Sequence, residues 1–147
     1  MMADNPARCF YADTNAIIAL VKTGPGRQLL EQLGDRNELR IPKAVQREAT
    51  RRRETEAARW VRDHKRFVMP TTQDVAALAF SLASHHERLF TTSPSAADPE
   101  LVAAAVLHRD RQPTPTILSD DTGVQAVCLE ENVPYATVRA FQHIFGI

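Results

Sequence analysis

Cysteine is nearly missing from this chain, with two in 147 residues. That scarcity excludes a disulfide scaffold, and no Cys or Cys/His metal-ligand spacing is present. Cys9 lies in the first apolar run and Cys128 follows Val124 and Val127 in a helical pattern, so both read as small buried thiols in a reducing compartment. No apolar run approaches the roughly 20 residues that cross a bilayer. Residues 1–6 have neither a basic start nor an apolar signal core, so a cytoplasmic location away from membranes is expected. Net charge is missing too: 18 basic and 18 acidic side chains cancel, and overall charge carries no nucleic-acid signal.

What is present is a chain that is 44% hydrophobic with only five glycines, long enough to bury a core, without repeats or low-complexity tracts. One domain over residues 1–147 is expected. Residues 9–12 read as a short buried strand, followed by polar Asp13-Thr14-Asn15 and a helical run through Val21. Gly24-Pro25-Gly26 is expected to break the chain before a second helix over 27–33. A strand over 38–41 leads to Pro42, which suits the first turn of a helix running to Arg53. Residues 60–69 read as a charged helix and a short extended piece. Thr72 fits as the cap of a helix over 73–87, Ser93 to Ala97 as a small-residue loop, and 99–108 as a helix with an apolar stripe. A loop over 110–115, a strand at 116–118, a helix over 124–132, a strand over 135–138 and a last short helix complete the chain. Strands alternating with helices imply a parallel sheet covered by helices on both faces, an α/β three-layer sandwich. Ligands in such sheets gather beyond the carboxyl ends of the strands.

Acids sit beside the apolar stretches. Asp13 follows the first strand and Asp120-Asp121 the strand at 116–118, so both occupy the carboxyl end. Glu48 shares a helical face with Val45, three residues before it, and is expected to point inward. Asp98 begins the stripe that Leu101 and Val102 continue, although Asp-Pro-Glu is also what a helix N-cap looks like. Carboxylates beside a core repel one another and resist desolvation, so their convergence calls for a positive charge. A set of Asp and Glu with no soft ligand suits Mg²⁺ or Mn²⁺ and disfavours zinc. The chemistry of such a site is phosphodiester hydrolysis.

These pieces resemble a PIN domain, the small metal-dependent ribonuclease fold of VapC-type toxins in toxin–antitoxin pairs. The matching segments are Tyr11-Ala12-Asp13-Thr14-Asn15-Ala16, Ile41-Pro42 through Val45 with Glu48, Asp98-Pro99-Glu100-Leu101-Val102-Ala103-Ala104-Ala105, and Ile117-Leu118-Ser119-Asp120-Asp121. In order, they cover nearly the whole chain. The resemblance implies that Asp13, Glu48, Asp98 and Asp121 are the catalytic acids and metal ligands, with Asp120 as support or substitute. It implies Mg²⁺ or Mn²⁺ as cofactor, single-stranded RNA as substrate, an antitoxin and a second copy of the chain as partners. Thr14, Asn15, Ser119 and Thr122 offer the supporting hydroxyls and amide, and Asn15 serves equally as the N-cap of the first helix. The loop at 110–115 and the run Arg51-Arg52-Arg53 depart from the commonest family pattern.

Between Lys43 and Arg66, nine Lys or Arg stand against four acids. A solvated helix face accounts for this, and so does a phosphate-facing edge in which Arg47, Arg51 and Arg52 contact RNA. The five histidines read as exposed helix ends without acid–base partners. Two other functions fit the acids less completely. A catalytically silent PIN-like module would bind RNA or protein without cleaving. A phosphotransfer domain of the receiver or haloacid-dehalogenase type would need acids, or a late lysine, at positions where this chain lacks a clear pattern.

Overall fold

The computed structural model describes residues 7–51, 54–90 and 97–147. Its five strands are β1 Cys9–Ala12, β2 Leu39–Pro42, β3 Val68–Met69, β4 Pro115–Leu118 and β5 Tyr135–Ala136. They form one sheet in the order β3-β2-β1-β4-β5, and every pairing is parallel. Helices α1 Thr14–Val21, α2 Gly24–Asp35, α3 Lys43–Thr50, α4 Glu56–Asp63 and α9 Val138–Phe145 supply one core, on one face of the sheet. Helices α5 Gln73–His85, α6 Glu87–Phe90, α7 Asp98–Leu107 and α8 Thr122–Glu130 supply the other. The three-layer α/β sandwich with a central parallel sheet expected from the sequence is the observed fold. Among the described residues no helix is long and apolar enough to cross a membrane.

The two cores explain why β1 reads as a continuous apolar run rather than an alternating one. Phe10 and Ala12 enter the first core and Tyr11 the second, as the two-residue period of a strand requires. Most helices start on a hydroxyl or carboxylate. Asp13, Thr23, Thr55, Thr72, Asp121 and Thr137 each accept a first-turn N–H through the side chain, at about 1 kcal/mol apiece.

Several boundaries differ from the sequence expectation, each for a local reason. Gly24-Pro25-Gly26 does not interrupt the chain but opens α2. Thr23 Oγ1 accepts from Gly26 N–H at 3.1 Å, and proline is tolerated in a first turn. Pro42 closes β2 with ψ 145°, one residue before α3. Helix α3 ends at Thr50, whose hydroxyl donates back to Gln46 O at 2.8 Å; Arg52 and Arg53 lie outside the described residues, as does Ser93 to Ala96 of the expected loop. The last strand stops at Ala136, because Thr137 turns its hydroxyl to Ala140 N–H and Val138 already belongs to α9.

Helices α1 and α2 meet with almost no space between them. A Cβ built on Gly26 would lie 2.0 Å from Leu20 O, a backbone atom that cannot rotate away. Gly26→Ala therefore pushes the two helices apart and is expected to destabilise the protein by about 1–3 kcal/mol, the usual cost of overpacking. Thermal denaturation checks this, and an unchanged melting temperature would show that the two helices can separate freely.

Candidate functional site

The chain leaves β1 toward β2 and leaves β4 toward β5, so the direction of winding reverses between β1 and β4. That switch point leaves a crevice at the carboxyl ends of the two strands. Ala12 and Leu118 are in register, and Asp13 N–H donates to Leu118 O at 3.1 Å. Asp13 and the run Ser119-Asp120-Asp121 therefore start side by side. Two acidic segments from opposite ends of the sequence become neighbours because their strands pair.

Asp13 is buried, with 4% of its surface exposed. Its Oδ1 accepts from Ala16 N–H at 2.7 Å, which starts α1, and its carboxylate also accepts from the Ser119 hydroxyl. Ser119 is wholly buried and accepts in turn from Asp121 N–H at 3.1 Å. One hydroxyl thus ties the first acid to the backbone of the last. Asp121 caps α8 through Val124 N–H at 2.9 Å, while Asp120, exposed, holds Val138 N–H at 2.8 Å where α9 begins. Burial raises the Asp13 pKa above the ordinary carboxylate value; the bonds from Ser119 and Ala16 pull it down, and the charges of Asp120 and Asp121 push it up. The three acids therefore share one electrostatic neighbourhood.

Asp98 reaches the same end of the sheet from a different direction. The carboxyl end of α7 carries His108, beside Tyr11, and the chain then enters β4 at its amino end. Because α7 runs antiparallel to the strands, its first residue opens at their carboxyl end. Asp98 is buried, and it is the first helical residue rather than the N-cap, which is Ala97. Its charge favours that helix end even without a cap bond. Helix α3 leaves the carboxyl end of β2 and packs against both α1 and α7. On it Val45 and Ala49 are buried, and Glu48 is half-buried at the edge of their stripe. Arg47 and Arg51 on the same helix are exposed. Thr14 is buried with its hydroxyl unpartnered among the described residues, whereas Asn15 is exposed and Asp13, not Asn15, caps α1. Thr122 is exposed at the start of α8.

The donor chemistry suits a hard divalent cation: carboxylates, a buried unpartnered hydroxyl and a carboxyl whose pKa is raised, by burial first. The arrangement is not a ready-made cage. Among the described residues no group of three or more His, Cys, Asp or Glu stands together as a metal-holding cluster. A site for one ion resting on one or two carboxylates and several waters is the form these residues fit.

His85 and His143 are exposed in the last turns of α5 and α9, as expected from sequence, but His64, His86 and His108 are not exposed. His86 is buried between Glu131 at 2.8 Å and Glu130 at 3.2 Å, His64 meets Glu31 at 3.1 Å and stacks on Trp60, and His108 bonds Tyr11. None of these contacts reaches the acids at the switch point. Of the site's own parts, the bridging role of Ser119 and the Asp120 bond to Val138 were not legible in advance. Ser119 stood out only as an available hydroxyl, and the second bond exists only once β5 is laid beside β4.

No protein-family model matches the chain, and no curated protein sequence matches it. Solved structures do match in fold. One is a chain of VapBC2 from Rickettsia felis, in a crystal structure of that complex bound to a DNA fragment from its promoter. The TM-score is 0.60 at 12% identity, over 88% of this chain and 98% of the other. At that identity the likeness is one of fold.

Because the Asp13 pKa is higher in the folded state than in the unfolded chain, the folded state binds the extra proton over the interval between the two values. Stability therefore falls as pH rises through that interval, and at neutral pH the ionised carboxylate opposes folding. Asn keeps the capping ability without the charge. Asp13→Asn is expected to raise stability at pH 7 by about 1 kcal/mol, or roughly 2–4 °C in melting temperature for a chain of this size, with the gain shrinking toward pH 4. Melting curves across that range check the sign; a loss of stability at pH 7 would contradict it.

Proposed function

We propose that the chain is a Mg²⁺- or Mn²⁺-dependent endoribonuclease that hydrolyses phosphodiester bonds in single-stranded RNA, acting as the toxin of a toxin–antitoxin pair. The observation that carries this reading is the burial of Asp13 at the switch point, within the field of Asp120 and Asp121, where a cation relieves the charge. The likeness of the fold to a chain of VapBC2 supports it.

In this reading Asp13, Asp98 and Asp121 hold the cation, with Glu48 and Asp120 alongside. When bound, the ion supplies Lewis acidity and positive charge for the developing anionic oxygens of the phosphate. Ser119 fixes the direction of the Asp13 carboxylate, and Thr14 offers a buried hydroxyl to the same space. Glu48, half-buried, orders water at the edge of the site. Arg47 and Arg51 present guanidinium groups to the RNA phosphates, and Arg52, outside the described residues, continues their run. Hydrolysis adds water across a P–O bond, and the acids leave the crevice without a general-acid histidine, so a leaving oxygen takes its proton from solvent. One domain over residues 1–147, a cytoplasmic location, an antitoxin and a homodimer complete the proposal.

A second reading rests on a specific observation. Asp13, Asp120 and Asp121 each commit one oxygen to a backbone N–H, and no three acidic or imidazole groups among the described residues form a metal cluster. Those features suit a catalytically silent PIN-like module that binds RNA or protein and uses the acids as caps alone.

The two readings part on metal binding and turnover. With Mn²⁺ and unstructured RNA the purified chain is expected to release shorter fragments, and Asp13→Asn or Asp121→Asn to slow cleavage on the order of a hundredfold or more. Calorimetry should show Mn²⁺ binding that weakens in Asp98→Asn. Intact RNA with all proteins, together with no heat of Mn²⁺ binding, would leave the silent module standing.

A further inference from the structure

A second concave feature has no acidic residue in its wall. On the α5 and α7 face of the sheet is a cavity of about 560 Å³ that runs from Cys9 and Pro115, at the amino ends of β1 and β4, to Met69 and Pro70, at the carboxyl end of β3. That volume is in the range of small-molecule sites. None of Asp13, Glu48, Asp98, Asp120 and Asp121 lines the cavity, so its chemistry is set by other residues.

Its charge is of one sign. Arg40 and Arg111 line it, and no acidic residue does. The acid that acts electrostatically on Cys9, Glu38, is already engaged by Arg8 at 3.5 Å and Arg36 at 3.9 Å. Arg40 donates to the neutral Asn37 amide oxygen at 3.2 Å, and among the described residues neither Arg40 nor Arg111 makes an ion pair. Two guanidinium charges thus face the same hollow without a carboxylate between them.

The remaining wall divides into a polar and an apolar part. The Tyr11 hydroxyl and His108 Nδ1 share a hydrogen bond of 2.5 Å, so the outer ring nitrogen of His108 stays available. Met69 and Val75 provide apolar surface. Guanidinium pairs recognise phosphate and carboxylate oxygens in forked geometry, and an adjoining apolar wall accepts a flat or aliphatic body. We infer that this cavity binds a small organic anion, its phosphate or carboxylate held between Arg40 and Arg111 and its apolar body against Met69 and Val75. A bare inorganic ion would leave the apolar wall wet, and a neutral ring would leave both cations unpaired.

The test is an NMR titration of the full chain, ¹⁵N-labelled, with phenyl phosphate, benzoate and phenol as probes. Saturable shifts of the Arg40, His108 and Arg111 amides are expected with at least one of the two anions, and their ranking tells a phosphate site from a carboxylate site. Phenol should need on the order of tenfold more, and Arg40→Gln or Arg111→Gln should each weaken the anion about tenfold, as loss of a charged hydrogen bond does. Asp13→Asn should leave the titration unchanged. No saturable shift, equal binding of phenol, shifts gathered around Asp13 and Asp121 instead, or indifference to both arginine substitutions would each overturn the inference.

Discussion

The pairing of β1 with β4 is the constraint on which the rest depends, because it sets two negatively charged loops against each other at the place where the sheet changes its direction of winding. Ala12 stands beside Leu118, so Asp13 and Ser119 have nowhere to go but the same crevice. Ser119 makes that proximity tolerable: its hydroxyl donates to one acid and accepts from the backbone of the other segment. A residue without that dual capacity would leave a buried acceptor and a buried N–H facing each other, at about 1–3 kcal/mol for each unmade bond.

The same topology gathers two groups of opposite charge. Asp13, Asp98, Asp120 and Asp121 lie where the strands end, and Arg40 and Arg111 line the cavity on the α5 and α7 face. A net charge of zero conceals this separation, since the two groups cancel in any count. Helix α7 connects the two, with Asp98 at its amino terminus and His108 following its last turn. A single rigid element therefore joins the acidic crevice to the basic cavity.

Much of the fold was legible in the sequence because it depends on patterns that survive without coordinates. Apolar runs too short for helices marked β1 and β4, and stripes at helical spacing marked α5, α7 and α8. What failed was local: whether Pro25 and Pro42 stood inside or outside a first turn depends on one ψ angle, and where the last strand stopped depends on one threonine hydroxyl. The site was legible as residue types at strand ends, since the topology of a parallel sheet puts them together. Its wiring was not. Both Asp13–Ser119 and Asp120–Val138 join segments that nothing in a linear pattern relates. The burial of His86 was missed for the same reason: the carboxylates of Glu130 and Glu131 lie a long way from it in sequence and beside it in space.

The charge balance at the crevice also needs a finer account than repulsion relieved by metal. Asp13 caps α1, Asp121 caps α8, Asp98 opens α7, and Asp120 holds the first N–H of α9. Four helix amino termini, each carrying roughly half a positive charge, meet the acids there. Each such contact is worth about 0.3–1 kcal/mol, and up to about 2 where partly buried. Two carboxylates 4 Å apart at an effective dielectric constant of 20 repel by about 4 kcal/mol. Helix ends thus offset a good part of the repulsion between neighbouring acids, which is why the fold can assemble this crevice from its own dipoles. Burial adds a separate penalty: desolvation first, and the charges of Asp120 and Asp121 after it, keep the Asp13 pKa raised in spite of its two hydrogen bonds. Asp13, Asp121 and Asp120 each give one oxygen to a helix amino terminus, so the fold itself fixes the direction in which these carboxylates face the crevice.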